Sequence, residues 1–300
     1  MAPTATSERP FGTVLTAMVT PFTTTGDLDV AAAQALATHL VDHGSDGLVL
    51  SGTTGESPTT TDAEKEQLLR AVAEAVGDRA HIVAGVGTND TRHTVELAQQ
   101  AEKAGAHGLL VVTPYYNRPP QTGLIAHFTT VADATDLPVM LYDIPIRSGV
   151  AIETATLIEL AGHDRIAAVK DAKGDLQASS HVLAETGLAY YSGDDAMTLP
   201  LLSIGAVGVV GVATHLTGER MAELVSAYTS GDVTRAAEIH RSLLPAFVGF
   251  FRTQGVIMTK AALDLAGLPG GGAVRPPLVD ATAEQRNQLR RDLTAAGLLS

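Results

Sequence analysis

GLVLSGTTGESPTTTDAEKEQLLRAVAEAVGDRAHIVAG, residues 47–85, holds the unit from which most of the chain is built. It opens on an apolar run, Gly47–Ser51, with no polar alternation, as expected for a strand buried on both faces. A Gly- and Thr-rich turn follows. Then comes Asp62–Val76, rich in Ala, Leu and Glu, with Leu68, Leu69, Val72 and Val76 at the three- and four-residue spacing of one helix face. Thr61-Asp62 starts this helix, and Glu64 and Glu66 in its first turn suit the positive end of the helix dipole. Gly77 falls just past its end, where a left-handed residue is wanted. His81–Gly85 is a second apolar run. Strand, helix and strand in this order predict a parallel pair joined by a right-handed crossover.

Working outward, the same unit recurs. Apolar runs lie at Val14–Thr20, Gly108–Thr113, Pro138–Ile144, Ile166–Lys170, Ala189–Ser192 and Val207–Val212. Helical stretches separate them at Val30–His43, Thr91–Ala104, Gln121–Ala134, Glu153–Ala161, Leu176–Glu185 and Ala196–Ile204, with Gly44 and Gly105 placed as C-terminal stops. Eight such units predict an α/β chain folded as a closed (β/α)8 TIM barrel rather than an open doubly wound sheet. After the eighth run only helices follow, at Thr217–Tyr228, Val233–Phe251, Ile257–Ala266 and Ala283–Ala296, punctuated by Gly231-Asp232 and by Gly267–Pro277. The expected division is a loosely attached arm (1–10), the barrel (11–230) and a C-terminal helical region (231–300).

Composition narrows the function. A net charge of −13 argues against a polyanionic partner such as nucleic acid. The absence of cysteine removes disulfides, thiolate nucleophiles and Cys-based zinc sites. The polar start, Met1–Pro10, lacks the apolar core of a signal peptide, and no apolar stretch is long enough to span a membrane. A cytoplasmic enzyme is the expectation. The ten histidines are scattered, with no His-x-His or HExxH; His39 and His43 share a helix face near its C-terminus, where the dipole alone favours them. No metal site is expected. Gly205, Gly208 and Gly211 lie within or before a strand, not at a strand-to-helix turn, so they are no dinucleotide fingerprint.

In a barrel, chemistry gathers at the C-terminal ends of the strands. Of five lysines, Lys65, Lys103 and Lys260 fall on predicted helices, where a solvated face is expected, and Lys173 sits just past a strand. Lys170 alone ends an apolar strand. A desolvated lysine there loses its proton readily and can attack a carbonyl; alternatively it reaches solvent or pairs with Asp171. The Gly52–Ser57 turn offers hydroxyls and backbone N–H groups to a carboxylate, or is a simple turn. Tyr142 can relay protons and Arg147 can clamp a carboxylate, or they are a buried tyrosine and a surface arginine.

Five motifs together resemble the dihydrodipicolinate synthase family of pyruvate-dependent aldolases: GTTGES at 52–57, TPYYNRPPQTG at 113–123, YDIPIRSG at 142–149, VKDAKGDL at 169–176 and SGDDAM at 192–197. The likeness runs from about residue 11 to the end. It implies a (β/α)8 barrel with C-terminal helices, commonly a homotetramer built as a dimer of dimers. The implied reaction condenses pyruvate with L-aspartate 4-semialdehyde on the diaminopimelate route to lysine, with no metal or organic cofactor. By the resemblance, Lys170 forms the imine and Tyr142 gives and takes the proton. Thr53 and Tyr116 complete a proton relay, with Tyr116 or Tyr115 reaching across a subunit interface. Thr54 holds the pyruvate carboxylate, Arg147 receives the carboxylate of the second substrate, and Gly193 and Val210 line the pyruvate pocket.

Asp143 stands where many relatives carry Asn, and Gly211 where Ser is frequent. Where some relatives bind lysine as an inhibitor, this chain keeps Ser57, Asn89 and Tyr115 but has Asp62, Lys65 and His93 at the other positions. Lys65 would repel a lysine ammonium, so weak or absent lysine inhibition is expected. The competing readings are an N-acetylneuraminate lyase or keto-deoxy sugar acid aldolase, which share the lysine and tyrosine, and a catalytically silent barrel acting as a binding protein. Thr54, the Tyr115-Tyr116 pair and Arg147 favour the synthase.

Overall fold

Each of the eight apolar runs forms a strand of one closed parallel sheet in the computed structural model, which describes residues 9–299. The strands are β1 (Val14–Ala17), β2 (Gly47–Leu50), β3 (His81–Gly85), β4 (Gly108–Val112), β5 (Val139–Asp143), β6 (Ile166–Asp171), β7 (Ala189–Ser192) and β8 (Gly208–Gly211). They pair in chain order, and β8 closes on β1 through Val14↔Val209 to Thr16↔Gly211. Residues 1–8 of the expected arm lie outside the described residues.

The strands read as continuous apolar runs because both faces are buried. Leu48, Leu50, Ile82, Ala84, Leu109, Val111 and Leu141 join the cluster that packs against the surrounding helices. The residues between them, Val49, Val83, Leu110 and Met140, belong to a second cluster inside the barrel. One irregularity places the chemistry. Val139 pairs with Ile166, but Met140 pairs with Ala168, so β6 carries one extra residue. A slip of one residue sends every later side chain to the opposite face. Ile166 therefore belongs to the outer cluster, Ala168 to the inner one, and Lys170 stands on the inner face in register with Tyr142.

The floor of the barrel is plugged by Phe11, which is fully buried. A Cβ on Gly108 would lie 2.3 Å from its ring, so only glycine fits at the start of β4.

Around the sheet run α1 (Val30–Asp42), α2 (Asp62–Val76), α3 (Thr91–Lys103), α4 (Gln121–Asp133), α5 (Pro145–Ser148), α6 (Thr154–Leu160), α7 (Leu176–Glu185), α8 (Thr198–Leu202) and α9 (Thr214–Thr229). The start of α2 is a full capping box: Glu64 N–H donates to Thr61 Oγ1 at 3.2 Å, and Thr61 N–H donates to Glu64 Oε2 at 2.8 Å. Such a cap contributes about 1 kcal/mol. Gly44 and Gly105 are left-handed, as expected. Gly77 is not: it continues the right-handed helix at φ −65°, and the stop comes from the following turn, where Ala80 N–H returns to Val76 C=O. The stretch 196–204 is shorter than expected, a 3-10 turn at Asp195–Met197 leading into α8.

After residue 230 come α10 (Val233–Phe250), α11 (Gly255–Ala266) and α12 (Ala283–Ala295). Phe247, Phe250, Met258, Leu289 and Leu293 share the apolar cluster of Val209 and Val210, so these helices rest on the barrel through a continuous core. Lys260 corrects one expectation. It lies on α11 but not on a solvated face; its side chain is 1% exposed and paired with Glu56.

Candidate active site

The strand ends enclose a cavity of about 310 Å³. Its wall comes from the loop after β2 (Gly52, Thr53, Ser57), the loop after β4 (Tyr115, Tyr116), and β5 with the short α5 that follows (Tyr142, Ile144, Arg147). This α5 turn forms because Pro145 fixes φ at its first position and Gly149, at φ +78°, ends it. Arg147 is exposed at the rim. Of the expected site residues, Thr53, Tyr116, Tyr142 and Arg147 face this cavity. Lys170, Thr54, Gly193 and Val210 are not on its wall. Tyr142 links the two groups: Lys170 Nζ lies 4.3 Å from the centre of its ring.

Lys170 is 5% exposed, and among the described residues its ammonium makes no hydrogen bond or salt bridge. Pairing with Asp171, the alternative left open by the sequence, is not what the fold does. Asp171 instead accepts from the Lys173 N–H at 2.8 Å and from the Ser179 hydroxyl. Burial pushes the Lys170 amine down to about 8, Arg147 adds to the effect, and the Asp195 carboxylate opposes it. The Tyr142 phenol is pushed up to about 12 by burial, against the pull of Arg147 and of the Thr53 hydroxyl. The Thr53 hydroxyl faces the phenol.

Asp195, the second Asp of SGDDAM, is a site residue to which the sequence motifs assign no role. It is fully buried beside Lys170, and its Oδ2 accepts from the N–H groups of Val212 (3.1 Å) and Ala213 (3.2 Å) just past β8. Among the described residues its Oδ1 has no hydrogen-bond partner. Burial pushes its carboxyl up to about 6, opposed by those two N–H groups and by Lys170. A Cβ on Gly211 would lie 2.4 Å from Oδ1, which gives the glycine at that position a physical reason. Two acidic letters in a strand-end loop carry no signal that one is buried. A paired pattern, Asp195 with Gly211 opposite, is the one that could have shown it.

Asp143, the other departure, pairs with Lys173 Nζ at 3.2 Å and accepts the Ile152 N–H at 3.1 Å. It ties the segment after α5 to the end of β6. At Gly193 a Cβ would lie 2.9 Å from Ala172 Cβ and 3.0 Å from Asp171 C=O, so the backbone there has no room for a side chain. Val210 is fully buried in β8, and Thr54 is buried behind the loop. Tyr116 sits at φ +74° and is 90% exposed, so its ring projects from the chain instead of closing on Thr53. Among the described residues no group of three or more His, Asp or Glu side chains is arranged to hold a metal ion. His39 and His43 stack on each other at 4.0 Å.

This geometry agrees with what the chain is similar to. The model of the dihydrodipicolinate synthetase family matches residues 10–296. A 4-hydroxy-tetrahydrodipicolinate synthase of Acidothermus cellulolyticus is 73% identical over 288 residues, covering 96% of this chain and 93% of the relative. A second such synthase, from Streptomyces coelicolor, is 62% identical over 99% of both chains. The crystal structure of a dihydrodipicolinate synthase from Cyanidioschyzon merolae with lysine bound superposes with a TM-score of 0.95 at 43% identity, covering 97% of this chain and all of that one. These relatives do not favour the sugar-acid aldolase reading. With the barrel, the strand-end lysine and the match over nearly the whole length, the chain belongs to the dihydrodipicolinate synthetase family.

Proposed function

We propose that the cavity and Lys170 form one catalytic site for the family's reaction, the condensation of pyruvate with L-aspartate 4-semialdehyde that yields 4-hydroxy-tetrahydrodipicolinate. The observation that carries the reading is the Lys170 amine, buried, without an acceptor among the described residues and set against a buried phenol. An amine lowered to about 8 has a usable unprotonated fraction at neutral pH, and that form attacks the pyruvate carbonyl. The carbinolamine loses water to give the imine. Tyr142 remains a phenol at neutral pH, since burial holds it near 12, and supplies the proton that the departing hydroxyl needs.

The imine withdraws electrons from the methyl carbon, which gives up a proton to the Tyr142 phenolate left by the dehydration and becomes an enamine. The enamine carbon bonds to the aldehyde carbon, and the re-formed Tyr142 phenol protonates the aldehyde oxygen. The amino group of the second substrate then attacks the imine carbon, closes the ring and releases Lys170. The imine is itself the electron sink, so the chemistry calls for no metal or organic cofactor. Thr54 and the backbone N–H groups of the 52–57 loop receive the pyruvate carboxylate, with Gly193 and Val210 behind it. Arg147 at the rim takes the carboxylate of the second substrate in bidentate fashion.

Thr53 faces Tyr142, but Tyr116, at the edge of the cavity, is 90% exposed, and Ile146 is 89% exposed. This supports a homotetramer, a dimer of dimers, in which Tyr116 of the partner subunit completes the relay. No helix among the described residues is long and apolar enough to cross a membrane. We place the enzyme in the cytoplasm, where a chain without cysteine loses nothing to reducing conditions. A coupled assay with pyruvate and aspartate semialdehyde, run beside N-acetylneuraminate and keto-deoxy sugar acids, tests the reading. Turnover with the semialdehyde alone is expected; turnover confined to the sugar acids would overturn it.

A further inference from the structure

The loop that carries Thr53 and Thr54 is held in a conformation its own sequence does not favour. Ser51 and Glu56, at its two ends, are both left-handed at φ +54° without being glycine. Its internal hydrogen bonds are long: Glu56 N–H to Thr53 C=O is 3.2 Å and Ser57 N–H to Gly52 C=O is 3.3 Å. Stronger ties come from outside. Thr20 Oγ1 donates to Gly55 C=O at 2.6 Å. The Glu56 side chain turns away from the cavity and meets the C-terminal region: Lys260 Nζ lies 2.6 Å from Oε1, and Arg275 N–H donates to Oε2 at 2.8 Å.

The pair is dry, with side-chain exposures of 0% and 1%. Lys260 also donates to Ala273 C=O at 2.7 Å, and its ammonium sits 4.3 Å from the centre of the Phe22 ring. Arg275 sits 4.1 Å from the same ring and is fixed in turn by Gly26 C=O, Thr59 C=O and Glu64. A buried ion pair is a poor way to hold helices together, since apolar side chains of the same volume usually do as well or better. What it adds is direction: both carboxylate oxygens are committed, so the loop has one position.

We infer that Glu56 and Lys260 are positioning residues for catalysis: their buried ion pair fixes the 52–57 loop so that Thr53 faces Tyr142 and Thr54 is set for the pyruvate carboxylate. This rests on the reading of that loop as the carboxylate site. It ties the C-terminal helical region to pyruvate binding.

The test compares Lys260→Met and Glu56→Gln with the wild-type full-length enzyme, each checked for folding by circular dichroism. Steady-state kinetics expected for a loosened loop are a pyruvate KM raised about tenfold or more and a lowered kcat, with the KM for aspartate semialdehyde within about twofold. The double variant, with no unpaired charge left behind, is expected to lose less than Lys260→Met alone. A purely structural pair would lower Tm and leave both constants of the folded enzyme within about twofold, and that result overturns the inference. If Lys260→Met does not fold, Glu56→Gln decides, because its amide keeps the shape and still accepts from Arg275 N–H. Trapping of pyruvate on wild-type Lys170 by borohydride is run in parallel. Failure there sinks the proposed function, whereas success there with unchanged variant kinetics sinks only this inference.

Discussion

Imine formation should follow the ionisation of one buried amine, and the structure sets its midpoint. With Lys170 lowered to about 8, about one molecule in ten carries the free amine at pH 7. An ordinary lysine at 10.5 would offer about one in 3,000, so burial raises the reactive fraction roughly 300-fold. Part of that gain is returned because a less basic amine is a weaker nucleophile. The rate of pyruvate adduct formation, measured by rapid mixing and borohydride quench with mass detection on Lys170, should rise about tenfold per pH unit and flatten near pH 8. Asp195→Asn supplies the second arm. The Asp195 carboxylate favours the ammonium, so its removal should move the midpoint to lower pH. A rate still climbing tenfold per unit beyond about pH 9, or a midpoint that rises in Asp195→Asn, would refute the assignment of burial as the cause.

Three further outcomes follow from the same geometry. Tyr142→Phe keeps the ring beside Lys170 but removes the proton, and kcat should fall about 10²–10⁴-fold in the coupled assay while the fold is retained. Lys170→Met should stabilise the protein. The folded-state amine lies below its unfolded value of 10.5, so the cost of burying the charge is fully present below about pH 8 and disappears as pH rises to 10.5. Denaturant unfolding at neutral pH should show a gain of up to about 3 kcal/mol that shrinks through that window. Sub-millimolar lysine should leave the rate unchanged. Asp62, Lys65 and His93 engage one another, with His93 Nε2 2.9 Å and Lys65 Nζ 3.7 Å from the Asp62 carboxylate. Lys65 also donates to Thr60 C=O at 2.7 Å, so a cation already stands beside the loop. A clear loss of activity in the coupled assay at such concentrations would contradict this.

The barrel was legible because its determinants are local and repeated. A fully buried strand such as Gly47–Leu50 and a capped helix such as Asp62–Val76 each carry their own pattern, and eight copies leave little choice of topology. Lys170 stood out as a lysine closing an apolar run, but that position alone left solvent or Asp171 open to its ammonium, and burial in the fold decides against both. What escaped depends on distant pairing. Lys260 sits at an ordinary helical position, and nothing nearby tells that Glu56 lies opposite, 204 residues away in sequence. Asp195 is hidden for the same reason, its partners being backbone N–H groups beyond another strand. The extra residue in β6 that turns Lys170 inward involves no glycine or proline, only a shift of register between two apolar runs. Gly77 misled because glycine after a helix usually marks a left-handed stop, whereas here the chain turns two residues later.

The central claim is that Lys170 is the nucleophile. Incubation of the enzyme with pyruvate and borohydride, followed by peptide mass mapping, tests it most directly. A single reduced pyruvate adduct on Lys170, absent in Lys170→Ala, is the expected result; no adduct, or one on Lys173 or Lys260, would contradict the account.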